Sequence, residues 1–391
     1  MSNNLRLSDV IDFVTDRISI EKIDVNNYIS TENMIANKGG VTKATNLPPS
    51  KTVLNYKEND ILISNIRLYF KKIWFANKQG GASSDVLILR TKKNYSPRFI
   101  YYVLSDSNFF NYADVTSKGT KMPRGDKNAI MKYTIPRYDI ETQRKIVDVL
   151  STYDKFIENN NRRIEILEQT VEEIYKEWFV RMRFPGYENV EFDKGIPRKW
   201  EIKRLNELFN VTDGTHDTPK EVIDGIPLVT GRNIVNGQID FNTTYNISEE
   251  DYKKINVRSA IIKNDILYSN IGTIGQMTIV KEDNNYSVKN MIILKTSAYE
   301  FYEYIYLHFK NDVCQRYFNS VASGSSQKFI SLTEMRKYKL LVPDEGTLRL
   351  FKKKVSSIFI QVENLHKQNQ NLKKLRDLLL PRLMNGTIEV K

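Results

Sequence analysis

Apolar residues in the first 150 positions come in short bursts. Asp60–Ile66, Ile73–Ala76 and Val86–Arg90 are such bursts, bounded by Gly80-Gly81 and by Asn/Lys/Pro clusters, and they predict strands. After Ser96-Pro97 the pattern becomes helical. Phe99 to Phe110 is an apolar-aromatic run at helical spacing, and Pro97 sits near its start, where a missing N–H costs nothing. Tyr133-Thr134-Ile135-Pro136 predicts a last strand. From about Asp139 the period lengthens to seven. Glu141 to Arg183 holds no glycine or proline, and Ile157, Ile164, Val171 and Trp178 recur every seven residues. Leu167 and Ile174 follow three residues after Ile164 and Val171, which makes an a/d seam on one long helix. Phe184-Pro185-Gly186 stops it.

The same order then returns. Residues 187 to about 344 again alternate strands with turn signals at Asp213-Gly214, Ile226-Pro227 and Asn236-Gly237, and Phe301 to Phe318 is a second aromatic helix. Residues 345–380 lack proline. Leu365, Leu372 and Leu379 lie seven apart there with Leu375 between, and Pro381 and Gly386 are expected to end that helix.

The likeness extends to the residues themselves. Asn59-Asp60-Ile61-Leu62-Ile63-Ser64-Asn65-Ile66 reappears as Asn264-Asp265-Ile266-Leu267-Tyr268-Ser269-Asn270-Ile271, seven of eight identical at an offset of 205. Lys132-Tyr133, Thr142, Arg144, Glu158-Asn159 and Leu167 find their counterparts at the same offset. A unit this long is not a solenoid repeat. It is a duplicated domain with its trailing helix. The expected organisation is a first α/β domain over 1–150, a long helix over 151–185, a second α/β domain over 186–345, and a second long helix with a C-terminal tail over 346–391. The fold class is α+β, with two globular α/β domains separated by the two long helices. The helices differ: Ile164 and Val171 become Asn369 and Arg376, either a polar device fixing seam register or solvated positions.

Charge narrows the choice of partner. The net charge is +12, with +8 on residues 1–150, −1 on 151–185, −2 on 186–345 and +7 on 346–391. An excess of cations favours an anionic partner such as nucleic acid, because neutralised phosphates release counterions. No apolar run approaches the ~18 residues a membrane helix needs, so no membrane is expected. One cysteine, Cys314, excludes an internal disulfide framework and fits a reducing cytoplasm.

The junctions between the segments resemble a known family. The first helix closes with Glu177-Trp178-Phe179-Val180-Arg181-Met182-Arg183-Phe184-Pro185-Gly186-Tyr187. The second half opens with Pro197-Arg198-Lys199-Trp200-Glu201 and then Asp213-Gly214-Thr215-His216-Asp217-Thr218-Pro219. With the duplicated plan, these resemble the specificity subunit of a type I restriction-modification system over essentially the whole chain. The resemblance implies two target recognition domains, each reading one half of a split double-stranded DNA site. It implies two antiparallel helices that dock two methyltransferase subunits, and restriction subunits through them. It also implies no catalysis in this chain and no cofactor of its own; the methyltransferase would bring S-adenosylmethionine and methylate an adenine in each half-site. A helix of about 30 residues spans ~45 Å, and half-sites one turn apart are ~34 Å apart, so the dimensions agree. The alternative is a stand-alone duplicated DNA-binding protein without a methyltransferase partner.

The residues themselves offer no catalytic site. None of the 17 glycines forms a Gly-x-Gly pair, and there is no Gly-Lys-Ser/Thr phosphate loop. Three histidines, His216, His308 and His366, with one cysteine make a zinc site improbable, and His308 in its aromatic helix reads as a core histidine.

Candidate DNA contacts are sought on loops. In the first domain these are Arg67, Lys71 and Lys72 after the repeated strand, and Lys118, Lys121 and Arg124 in the loop Ser117–Gly125, where Gly119 and Gly125 are expected to let backbone approach a phosphate. In the second domain the matching loop is Ser323–Lys328, with Gln327 and Lys328; Gly119 and Gly324 are again 205 apart. Thr215, His216, Arg232, Asn233, Gln276 and Lys289 complete the set. Ile157, Ile164, Leu167, Val171, Ile174 and Trp178, with Leu365, Leu372, Leu375 and Leu379, are assigned to helix packing and partner docking.

Overall fold

Ile61, Leu62 and Ile63 are apolar at consecutive positions because both faces of their strand are covered. In the computed structural model, which describes residues 4–282, 285–324 and 328–390, Ile61 and Ile63 pack against the helices, while Leu62 packs with Val14, Tyr56 and Ile88 on the other side. A strand buried on both faces loses the usual alternation.

The chain divides into two compact units, Met1–Asn161 with His366–Lys391, and Arg162–Leu365. In the first unit four antiparallel strands lie in the order Ile11–Phe13, Val86–Thr91, Ile61–Ser64, Ile73–Phe75. In the second the order is Val211–Asp213, Met291–Leu294, Ile266–Ser269, Met277–Ile279. The sheet topology is thus duplicated along with the sequence. A second sheet backs each: four strands in the first unit and three in the second.

The repeat also preserves small devices. Asn59 and Asn264 both open their strands in the left-handed conformation, at φ 70° and 71°. Asp60 and Asp265 are buried behind them. Asp60 accepts from Arg90 Nε at 2.8 Å and Nη2 at 2.7 Å and from the Lys57 backbone N–H. Asp265 accepts from Lys295 Nζ at 2.8 Å and from the backbone N–H groups of Ile262 and Ser297. A cation in the matching position, Arg90 or Lys295, therefore neutralises each buried carboxylate.

The aromatic run of the first half is two helices, not one: Pro97–Ser105 and Ser107–Val115, divided at Asp106. Its carboxylate accepts from Asn108 N–H and caps the second helix. Asn311 divides Tyr302–Lys310 from Asp312–Val321 in the same way, accepting from Val313 N–H. An Asx side chain that captures the next turn's N–H starts a new helix where the apolar pattern alone runs on.

The first long helix is Ile140–Tyr175, 36 residues, so it begins well before position 151. Its start is set by Asp139, which accepts from Thr142 N–H at 2.7 Å; Asp344 does the same for Thr347 at the second long helix, Glu345–Met384. Ile146 and Leu150 belong to the first unit's core, so these first turns are part of that domain's packing. Pro381 does not end the second helix. It lies inside the last turn, Asn385 N–H still bonds its carbonyl, and the helix ends at Met384, before Gly386 at φ 74°. The proline leaves the Asp377 carbonyl without its intrahelical bond, and its ring crowds that carbonyl, yet only the final turn lies beyond it.

In the first unit Asp154 pairs with Arg376 and Asn160 with Asn369, so the two helical segments run antiparallel. Ile157 is buried on this seam, while Leu372 and Leu379 are half-buried. Leu375 is not a seam residue: it is 50% exposed, and Leu380 and Leu383 fill the core instead. Arg376, one residue on and so rotated about 100°, takes the inward position. Asn369 is buried as well, accepting from Asn160 Nδ2 at 3.0 Å and donating to Asn161 Oδ1 at 2.8 Å. The two polar substitutions at 369 and 376 are thus paired positions and not solvated ones.

In the second unit Ile164, Val171 and Leu365 are buried, and Leu167, Ile174 and Trp178 are half-buried. The Trp178-Phe179 junction is a π-helical turn, Lys176–Val180, closed by Arg181 N–H to the Lys176 carbonyl. That turn sets Phe179 against Trp200, Tyr304 and Phe351 and Trp178 against Phe351. His308 is a core histidine, held between the hydroxyls of Tyr175 at 2.9 Å and Tyr338 at 2.8 Å.

Candidate nucleic-acid interface

In the first unit the loop Ser117–Gly125 is a closed hairpin. Lys118 and Arg124 exchange both backbone hydrogen bonds, at 2.8 and 2.9 Å, and Gly119 turns the chain at φ 98°. Gly125 N–H and the carbonyl of Asn65 tie this hairpin to the end of the repeated strand. In the second unit Ser323 and Phe329 make the same exchange, Gly324 turns at φ 113°, and Ile330 N–H bonds the carbonyl of Asn270. The frame is common and the side chains are not. Lys118, Lys121 and Arg124 face solvent in one copy; Lys328 and Phe329 do in the other. Gln327 lies outside the described residues. Gly125 serves packing and not phosphate approach. It is buried, and a Cβ there would meet Asn65 Oδ1 at 2.9 Å.

The six candidate cations of the first unit fall into two groups. Lys118 is held to Asp126 at 2.6 Å, a hydrogen bond that also lowers the Asp126 pKa, and Arg124 pairs with Asp85 at 2.9 Å. Lys71 donates to Ser107 Oγ at 3.1 Å. Lys72 is drawn inward to the Thr31 carbonyl at 2.6 Å, and burial lowers its pKa. Arg67 and Lys121 are exposed and make no ion pair among the described residues. Of the six candidates, these two are free of ion pairs among the described residues and open to a phosphate or a base edge.

Arg67 and Lys71 bracket a short turn, Leu68–Phe70, and both adopt left-handed backbone, at φ 52° and 51°. Arg67 N–H bonds the Pro123 carbonyl, so this turn sits beside the hairpin. Asn37 N–H and Lys38 N–H bond the carbonyls of Phe70 and Lys71, and they too are left-handed. Between the brackets, Tyr69 is 49% exposed and Phe70 is 40% exposed, with ring centroids 4.6 Å apart. Nothing in the sequence marks these rings, since an aromatic pair in a connection has no periodicity to expose it.

In the second unit the candidates separate. Thr215 is buried. Its hydroxyl accepts from Asp217 N–H, and its backbone pairs with the segment at Val288 and Asn290, so it shapes the turn. Asn233 is also buried, accepting from Thr230 N–H and donating to the Thr243 carbonyl; Asn33 does the same work with Ser30 and Thr42 in the first unit. Neither is available to read a base. His216 is exposed, bonded to Asp213 and Asn290. Lys289 donates to Thr218 Oγ1 at 2.6 Å and steadies the same loop. Gln276 is exposed and its amide, oriented to donate, reaches the carbonyls of Gly231 and Ile234. Arg232 is exposed, and Lys328 stands on the hairpin. Among the described residues no group of three His, Cys, Asp or Glu side chains is placed to hold a metal, and no helix is long and apolar enough to cross a membrane.

Comparison with known proteins agrees with this geometry. A family model described as "Type I restriction modification DNA specificity domain" matches twice, over residues 2–169 and 197–375. The MjaIX specificity subunit of a type I restriction enzyme from Methanocaldococcus jannaschii is 27% identical over 310 residues, covering 75% of this chain and 69% of that protein. The HindI specificity subunit from Haemophilus influenzae is 24% identical over 437 residues, covering 92% and 94%. Among solved structures, the S subunit of a type I restriction-modification system from M. genitalium superposes with a TM-score of 0.53 at 18% identity, covering 97% of this chain and 95% of that one, and so shares the fold. With both halves matched by the model and the duplicated hairpin on each, the chain belongs to the type I restriction-modification DNA specificity family.

Proposed function

We propose that this chain is the recognition subunit of a type I methyltransferase complex and reads a split double-stranded DNA site. The first domain reads one half-site and the second domain the other. The observation that carries this reading is the duplicated closure: Lys118 pairs with Arg124 in one copy as Ser323 pairs with Phe329 in the other, and the sequences so joined differ. Two readers built alike with different tips suit two different half-sites. Within each, Arg67 and Lys121, or Arg232 and Lys328, supply the exposed cations. Methylation is the work of two partner subunits, which bring S-adenosylmethionine; this chain supplies no catalytic group. Restriction subunits join through the methyltransferase.

The long helices offer apolar surface for those partners. Val149, Phe156, Leu375 and Leu378 are exposed in the first unit, and Ile166, Val180, Leu350 and Ile360 in the second. Ile166, Thr170, Ile174 and Trp178 line a groove along one helix face. Exposed apolar stripes of this kind mark interfaces.

The test is methylome mapping of a host carrying this chain with its methyltransferase. One bipartite sequence with a fixed gap is expected, with an adenine modified in each half. A continuous site, or no adenine methylation from a soluble complex, refutes the reading. Exchanging residues 1–150 for another such domain changes one half of the sequence only.

A further inference from the structure

We infer that Tyr69 and Phe70 make apolar contact with a base in the half-site read by the first domain, and so help to set its sequence. This rests on the DNA-reading function proposed above.

The turn that carries the two rings is strained. Left-handed backbone is disfavoured for residues with a side chain, by roughly 1 kcal/mol each, and such residues gather where a fold holds a functional segment in place. Lys38, Arg67 and Lys71 all pay this cost, and Asn37 joins them. They meet in one place. Asn37 and Lys38 donate their N–H groups to Phe70 and Lys71 at 2.9 Å each, and Arg67 donates to Pro123 at 2.9 Å. Lys38 is anchored in turn to Asp377 at 2.9 Å. Three segments are thus locked together around the turn that carries the two rings.

The rings gain nothing for the core by this. Leu68, between Arg67 and Tyr69, is buried, but Tyr69 and Phe70 are 49% and 40% exposed. Aromatic side chains lose little conformational entropy on binding and offer large flat apolar surface. Their setting is cationic. Arg67 stands at one side, Lys121 on the adjoining hairpin, and Lys72 lies 5.9 Å over the Phe70 ring. Cations beside exposed rings suit a polyanion with apolar bases better than an apolar protein surface. The apolar group met is the thymine methyl or the face of a base.

The second copy shows that the rings are not part of the common frame. The matching connection there is Gly272-Thr273-Ile274-Gly275-Gln276, with no aromatic residue, and Ile274 packs inward on the core. The frame needs no rings; the first domain alone has them, as a half-site-specific feature should.

The experiment selects from a randomised 40-base-pair duplex library with the full chain in complex with its methyltransferase, and compares the wild type with Tyr69→Ala/Phe70→Ala. The wild type is expected to enrich a two-part sequence. The variant should lose enrichment at one or two positions of one half by on the order of tenfold to a hundredfold. The other half should be unchanged, the dependence on salt unaltered, and the melting temperature preserved, with Phe70→Tyr close to wild type. On the selected duplex, replacing thymine by uracil separates the sources: weakened binding assigns the contact to the methyl, unchanged binding to the base face. If the wild type enriches a two-part site and the variant enriches the same site equally, the inference is overturned. It is overturned also if the variant binds that site as before and loses only the methyltransferase. If the wild type enriches nothing, it is the DNA-reading function that fails.

Discussion

The two buried carboxylates allow one perturbation to be made twice in a single chain. Asp265 is fully buried, and its partner Lys295 keeps 17% of its side chain exposed; Asp60 is nearly as buried, but Arg90 keeps 34%. Removing one member of a buried pair leaves the other charged and unsatisfied, which costs about 3–5 kcal/mol where water cannot reach it. Asp265→Ala leaves the Lys295 ammonium with the Ala260 carbonyl but no counter-charge, and orphans the N–H groups of Ile262 and Ser297, so it falls in that range. Asp60→Ala leaves an arginine that is one-third exposed and still has Asp16 at 3.7 Å, so a cost of about 2–3 kcal/mol is expected. Hydrogen exchange by mass spectrometry reads each unit separately. At about 1.4 kcal/mol per tenfold, Asp265→Ala should reduce protection of Ile266–Ser269 and Met291–Leu294 by on the order of 10²–10³. Protection of Ile61–Ser64 should be untouched. Asp60→Ala should do the converse, more weakly. Replacing both partners, Asp265→Leu with Lys295→Met, should recover the part of the loss due to the unpaired charge, while the N–H groups of Ile262 and Ser297 stay orphaned. Equal losses in both units, or a double variant no better than the single, would refute the reasoning.

Three further outcomes are expected. Changing Lys121 and Arg124 together to Ala should weaken DNA binding and lower the logarithmic salt slope by about 1–2; an unchanged isotherm removes the hairpin from the interface. Burial pushes His308 from its ordinary value down to about 4. The unfolded chain then binds a proton that the folded one refuses, so the second unit should lose stability as pH falls from about 6.5 towards 4 and hold it above 6.5, by about 3 kcal/mol in all. Denaturation of His308→Gln at both ends of that window, showing the same slope as wild type, would argue against it. Asn369→Ala leaves the buried Asn160 amide without its best acceptor and should cost about 1–3 kcal/mol in urea unfolding, whereas Asn160→Leu with Asn369→Leu should be near neutral or stabilising.

The repeat made most of the architecture legible. An offset that carries Asn59-Asp60 onto Asn264-Asp265 also carries Arg90 onto Lys295, Asp106 onto Asn311 and Asp139 onto Asp344, and each pair keeps its structural task. What could not be read was rotation and exposure at single positions. Leu375 fits a heptad on paper, yet Arg376 claims the inward place because Asp154 and Asp377 wait for it. Thr215 and Asn233 have the chemistry of base readers, and their hydrogen bonds are spent on their own turns. The exposed rings at Tyr69 and Phe70 escaped because surface aromatics in a connection look, in sequence, like buried ones.

The division of the chain into units has a bearing on biosynthesis. Arg162–Leu365 is continuous, so the second unit has all its parts before translation ends. The first is not: Leu380 and Leu383, near the end of the chain, sit in the same core as Leu7 and Val10 near its beginning. At ribosomal rates of about 5–20 residues per second, the first domain waits on the order of tens of seconds for the helix that completes it. The half that is made first is therefore finished last, and during that interval its core lacks the apolar side chains of Leu380 and Leu383.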